Sequence, residues 1–128
     1  PEKIRRVVLC SGKVYFDLLE AREAAGLDDV YIMRVEQLYP VPVGPLLAEL
    51  EPFAHAEMVW CQEEPRNMGA WSFIEAELEN VLKTLSATHT RAAYAGRAAA
   101  ASTATGQMSR HLKQRDALLQ SALIDPLD

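Results

Sequence analysis

With 128 residues, 49% of them apolar and 24% charged, the chain has the length and composition of one globular domain rather than of a disordered segment. No apolar run approaches the ~20 residues that cross a bilayer, and the charged start Pro1-Glu2-Lys3-Ile4-Arg5-Arg6 does not resemble a secretory signal, so neither export nor a membrane partner is expected. The net charge of −5 is unevenly spread: residues 80–115 hold six bases and no acid, residues 1–79 hold seven bases and fifteen acids, and residues 116–128 add three acids. That division bears on association, and an acidic chain whose basic segment has one aromatic, Tyr94, argues against nucleic acid as a partner.

In chain order, residues 5–10, centred on Val7-Val8-Leu9, predict a buried parallel strand. Ser11 is placed to cap the helix that follows, Val14, Leu18, Ala21 and Ala25 form that helix's apolar face, and Gly26 suits its end. Residues 30–35 predict a second strand, β-branched at three positions. Gly44-Pro45 fits a helix start with proline in the first turn, and Leu46, Leu47 and Leu50 give this short helix its apolar face. Residues 58–61 predict a third strand. Ile74, Leu78, Val81, Leu82 and Leu85 form the clearest helical stripe, beginning near Trp71. Residues 91–94 predict a fourth strand, and the small residues 95–106 favour a loop that orders against a partner. Residues 107–123 predict a last helix presenting Met108, Leu112, Leu119 and Leu123. Strands alternating with helices predict a three-layer α/β/α sandwich with a mostly parallel sheet.

Cys10 and Cys61 each end an apolar run and read as buried small hydrophobes in a reducing compartment; a disulfide between them requires adjacent strands. Two cysteines without paired spacing, and His55, His89 and His111 far apart, suggest no zinc or other metal site.

The stretch QEEPRNMGAW, residues 62–71, links the third strand to the third helix. Loops leaving the carboxyl ends of parallel strands are where ligands and partners dock, and this one is expected beside Ser11-Gly12-Lys13, with Trp71 buried. Lys13 beside a helix start could hold an anion, but the surrounding residues do not make a P-loop, and a solvated lysine explains it as well. Glu63 and Glu64, being adjacent, point to opposite sides and do not form an acid/base pair. With Arg66 and Asn67 they read as a structural turn or an interface. Arg97 is suited to a carboxylate or phosphate, or is simply exposed. No serine stands in a nucleophile-elbow sequence. The residues themselves show no self-contained active site.

The words VVLCSGKVYFDL, VYIMRVEQLYPVP, WCQEEPRNMGAW, YAGRAAAASTATG and MSRHLKQ occur in this order between residues 6 and 123. Together they resemble the C-terminal domain of the thiamine-dependent decarboxylase component of 2-oxoglutarate dehydrogenase. The resemblance implies a transketolase C-terminal domain-like fold and a single domain, residues 1–128, that is the C-terminal piece of a longer oxidoreductase, cytoplasmic in bacteria or in the mitochondrial matrix of eukaryotes. It also implies a parent that decarboxylates 2-oxoglutarate with thiamine diphosphate and magnesium, both held by upstream domains, and that passes the succinyl group to a lipoyl-bearing succinyltransferase component. The domain itself is expected to carry no catalytic residue and no cofactor, and to help assemble a homodimer. Ala98 stands where relatives often have proline, and Val43 and Gly44 replace the basic residues that some regulated relatives carry. The other reading is a free-standing module of the same fold that binds a nucleotide or coenzyme A through Lys13, Arg66 and Arg97.

Overall fold

The structure, a computed structural model, describes residues 2–36, 42–97 and 108–126. Four strands, β1 (Arg6–Cys10), β2 (Val30–Arg34), β3 (Glu57–Pro65) and β4 (Ala93–Arg97), form one sheet in the order β2-β1-β3-β4. All its pairings are parallel. The helices are α1 (Val14–Ala24), α2 (Val43–Leu50), α3 (Trp71–Thr84) and α4 (Met108–Leu123), with a short 3-10 turn at Glu51–Phe53.

A parallel sheet needs both faces covered, which is why β1 reads as an unbroken apolar run and every one of its residues is buried. Strand alternation then sorts its neighbours. Val7, Leu9, Met58 and Trp60 face a core closed by Leu46 and Leu50 of α2 and by Trp71, Ile74, Leu78, Val81 and Leu82 of α3. Val8, Cys10, Val59 and Cys61 face the opposite core, closed by Val14 and Leu18 of α1 and by Leu118, Leu119, Ala122 and Leu123 of α4. The three-layer sandwich is therefore as predicted. The expected stripe of α3 is buried except for Leu85, which is partly so. Of the four expected apolar residues of α4, Leu119 and Leu123 are buried, while the side chains of Met108 and Leu112 lie outside the described residues.

Four local expectations are corrected. Ser11 does not cap α1: Gly12 turns the chain at φ +76°, so Lys13 becomes the N-cap and no side chain closes the first turn. Helix α2 begins at Val43 with Pro42 as its N-cap. Pro45 thus sits third in the helix, where an N–H would have no partner in any case. Strand β3 continues to Pro65, four residues past the expected end, because the pairing with β4 shifts register between Cys61 and Pro65 and resumes at Pro65 opposite Arg97. Strand β4 correspondingly starts at Ala93 and takes in Ala95, Gly96 and Arg97, the first residues of the expected loop. Residues 98–107 of that loop lie outside the described residues.

At the amino edge of the sheet two consecutive arginines grip the end of α4. Arg6, only 1% exposed, donates from Nε to Glu57 (3.2 Å), from Nη1 to the carbonyls of Ser121 (3.3 Å) and Ala122 (3.0 Å), and from Nη2 to the carbonyl of Asp125. Arg5 donates to the Leu123 carbonyl (3.1 Å) and to Asp29 (2.9 Å). The last carbonyls of a helix lack intrahelical partners and carry its negative dipole end, so guanidinium groups are suited to them.

Candidate functional site at the carboxyl edge of the sheet

Because β1 and β3 run parallel with Cys10 opposite Cys61, the β1–α1 loop and the turn after β3 open on one edge. Helix α1 then descends on one layer and α3 on the other. The gap between those two exits is the switch point of the fold, where α/β sheets characteristically offer a crevice. The shared edge is as predicted, and so is Trp71, which is 4% exposed as the first residue of α3.

One side chain organises this edge. The Gln62 carboxamide is 3% exposed and takes part in five hydrogen bonds. Its Oε1 accepts from the Trp60 indole N–H (3.0 Å) and from the backbone N–H of Trp71 (3.1 Å). Its Nε2 donates to the carbonyls of Glu64 (3.1 Å), Pro65 (2.9 Å) and Met68 (2.8 Å). The carboxamide thus replaces a missing N-cap: no side-chain cap bond comes from the N-cap residue Ala70, and Gln62 reaches across to satisfy the first-turn donor. Gly69 (φ +68°) is required by the same geometry, since a Cβ there would come within 3.1 Å of the Glu64 Cβ and 3.2 Å of Gln62 Oε1. Gly96 has a different reason: a Cβ would meet the Gln62 carbonyl at 2.7 Å and the Tyr94 hydroxyl at 2.6 Å. The Tyr94 hydroxyl in turn donates to the Glu64 carbonyl (3.2 Å).

The residues expected to act here are divided by the sheet. Glu64 lies against Gly69 on the α3 side. Glu63 projects to the α1 side, where its charge reaches Cys61; the two carboxylates diverge as their adjacency requires. Arg66 is exposed, its guanidinium 5.3 Å from the centre of the Tyr94 ring, which itself packs 5.4 Å from Trp71. Asn67 is exposed in the same turn. Lys13 is exposed at the start of α1, in the other layer. Arg97 closes β4 opposite Pro65; its side chain lies outside the described residues. The structure thus brings Glu64 and Arg66 to one side of the edge, around Tyr94, and leaves Lys13 on the other. The ring of His55 is exposed and bonds the Ile4 carbonyl at the amino edge (2.9 Å), and His89 is exposed. Among the described residues no three His, Cys, Asp or Glu side chains gather as metal ligands do.

The charged residues of the turn stand out in the sequence, but the neutral Gln62 is the one that builds it. A glutamine ending an apolar run two residues after a tryptophan was the available signal, because a buried indole N–H needs an acceptor.

A doubly wound α/β domain with a shaped surface at the carboxyl ends of its strands is the class that this geometry defines. The family model described as 2-oxoglutarate dehydrogenase C-terminal matches residues 1–123, and the chain belongs to that family. It is 67% identical over 121 residues to the 2-oxoglutarate dehydrogenase E1 component of Brucella anthropi, and equally to those of Brucella ovis and Brucella canis. The match covers 94% of this chain and 12% of each relative, so the chain spans about an eighth of the length of those relatives.

Proposed function

We propose that the chain is the C-terminal assembly and regulatory domain of a 2-oxoglutarate dehydrogenase E1 component. The complete enzyme decarboxylates 2-oxoglutarate with thiamine diphosphate and magnesium and delivers the succinyl group to the lipoyl-bearing succinyltransferase component. The observation that carries this reading is the 67% identity maintained over 94% of the chain. Magnesium asks for a set of oxygen ligands and the diphosphate for a cradle of donors. At the carboxyl edge Glu63 and Glu64 diverge and Lys13 and Arg66 occupy opposite layers. The described residues do not fit the cofactor, so no chemical step is assigned to them. Their role in this reading is to present a fixed surface: Gln62 sets the turn, Glu64, Arg66 and Asn67 form its face, and Arg97 and Lys13 supply charge nearby. That surface docks on the upstream domains and on the second subunit of a homodimer.

The test is to express the full-length enzyme with and without residues 1–128 and follow its sedimentation and its release of carbon dioxide. Loss of the dimer on removal, with no carbon dioxide released by the 128-residue chain alone, is the expected result. A truncated enzyme that still forms an active dimer overturns the assembly role.

A further inference from the structure

The two cysteines, which the assembly reading leaves without a role, occupy a defined geometry. Cys10 is the last residue of β1, and Cys61 is its register partner on the adjacent parallel strand β3. Both belong to the same apolar core, so both side chains leave the sheet on the face covered by α1 and α4, and both are fully buried and free. Neighbouring strands lie about 4.8 Å apart, inside the ~4.4–6.8 Å that a disulfide spans between Cα atoms. The Cys10 thiol makes a long, weak contact with the Met33 carbonyl at 3.8 Å.

We propose that Cys10 and Cys61 form a buried dithiol site that a peroxide converts, as a pair, into a cross-strand disulfide when the α1 layer opens. In the closed fold the pair is protected. Burial pushes the Cys10 thiol up to about 12, offset a little by Arg34. It pushes Cys61 further, with the nearby Cys10, Glu63 and Asp17 adding in the same direction. Thiolate, the reactive form, is thus scarce until water reaches the pair. Helix α1 is the cover suited to opening. Over eleven residues it buries only Val14 and Leu18 fully, with Tyr15, Leu19 and Ala21 partly packed, and no side chain caps its first turn. Segments with few buried contacts open at a fraction of the cost of global unfolding.

The chemistry balances with peroxide as the oxidant. One thiol, ionised in the opened state, attacks a peroxide oxygen; the O–O bond breaks, and with one proton supplied the products are a sulfenic acid and water. The second thiol then attacks that sulfur, the S–O bond breaks, the S–S bond forms, and a second water leaves with the remaining proton. In sum, two thiols and one hydrogen peroxide give one disulfide and two waters. Register places the second thiol next to the first, so trapping of the sulfenic acid outruns its further oxidation.

The test treats the full chain with hydrogen peroxide across urea concentrations below its unfolding midpoint, followed by intact mass and by alkylation after denaturation. Expected are the loss of two hydrogens in mass, the loss of both alkylatable thiols, a linked peptide pair containing Cys10 and Cys61, and a rate that rises with urea while the circular dichroism stays native. The oxidised chain should unfold at higher urea than the reduced one. Cys10→Ser and Cys61→Ser should instead gain oxygen on the remaining sulfur. Three wild-type outcomes overturn the proposal, whether or not the serine variants fold: oxygen gained on separate cysteines without a link, a link formed only above the midpoint, or both thiols still alkylatable throughout.

Discussion

Gln62 at the carboxyl edge and Arg6 at the amino edge are buried to the same degree, and each directs its donors to three backbone carbonyls. They differ in reach and charge. Every bond of the Gln62 side chain falls within residues 60–71. The carbonyl partners of Arg6 lie 115 to 119 residues away, and its charge is balanced by Glu57 and by the end of a helix. A neutral, local hub shapes one turn and leaves the rest of the fold alone. A charged, distant hub ties the last helix to the first strand and so supports the fold as a whole. The carboxyl edge can thus be altered without dismantling the domain, whereas the amino edge cannot.

The largest effect expected from this contrast is at Arg6. Arg6→Ala leaves three carbonyls without their donor and Glu57 with only the longer 3.5 Å contact from Arg5, a loss of about 3–5 kcal/mol. Urea unfolding should show a lower midpoint, and hydrogen exchange should rise in β1, β3 and α4 together. Exchange confined to the end of α4 would show that the grip is only local. Next is Gln62→Leu, which fills a similar volume but leaves the indole of Trp60 and the first turn of α3 unsatisfied, for about 2–3 kcal/mol. Here the amides of residues 66–71 should exchange faster while those of α4 keep their protection; a uniform rise over the whole sheet would erase the distinction between the two edges.

The smallest effect concerns Glu79, which lies at neither hub. The Arg91 guanidinium donates to it at 2.7 Å and holds its carboxyl below the usual range, with Lys83 adding to the effect. A carboxyl depressed in the folded state contributes stability above its unfolded pKa, and that contribution is lost as pH falls through the folded value. Glu79→Gln should therefore lower stability slightly near neutrality, flatten the acid side of the stability–pH curve, and leave stability unchanged below the folded pKa of this carboxyl. A change of equal size at neutral and acid pH would point to packing instead of charge.

Much of this architecture is legible in the residues, and the reasons are physical. A short apolar run such as Val7-Val8-Leu9, bounded by turn residues, suits a strand buried on both faces, and the Ile74, Leu78, Val81 stripe fits a helix with one covered side. The words of the 62–71 stretch pointed to the correct edge. The parts missed depend on tertiary partners. Ser11 looked like a cap because its residue type allows it, but the turn at Gly12 moves the helix start beyond its reach. Ala95-Gly96-Arg97 looked like a loop because small residues carry little core, yet Gly96 is what lets the strand pass the Gln62 carbonyl. Arg6 falls inside the expected strand of residues 5–10, but no pattern within the first ten residues shows that the end of α4 will arrive to meet it. The uneven charge of the sequence is met in part by contacts within the fold. Glu79 does receive Arg91 and Lys83. The end of α4, however, is held by bases acting on its carbonyls.

The grip of Arg6 has a consequence for the order of events during synthesis. Arg6 is translated 115 residues before Ser121, the first of its carbonyl partners to appear. Until then the arginine facing the sheet's open side must stay hydrated, and β1, the strand on which both β2 and β3 pair, cannot be sealed at its amino end. The sheet is therefore assembled early and closed last, and the ribosome must release the end of α4 before the central strand becomes inaccessible. Nascent chains stalled with residues 121–125 still inside the ribosomal exit tunnel should remain sensitive to protease within β1, and chains tethered so that those residues emerge should become resistant. The domain thereby ties its resistance to degradation to the completion of its own last helix.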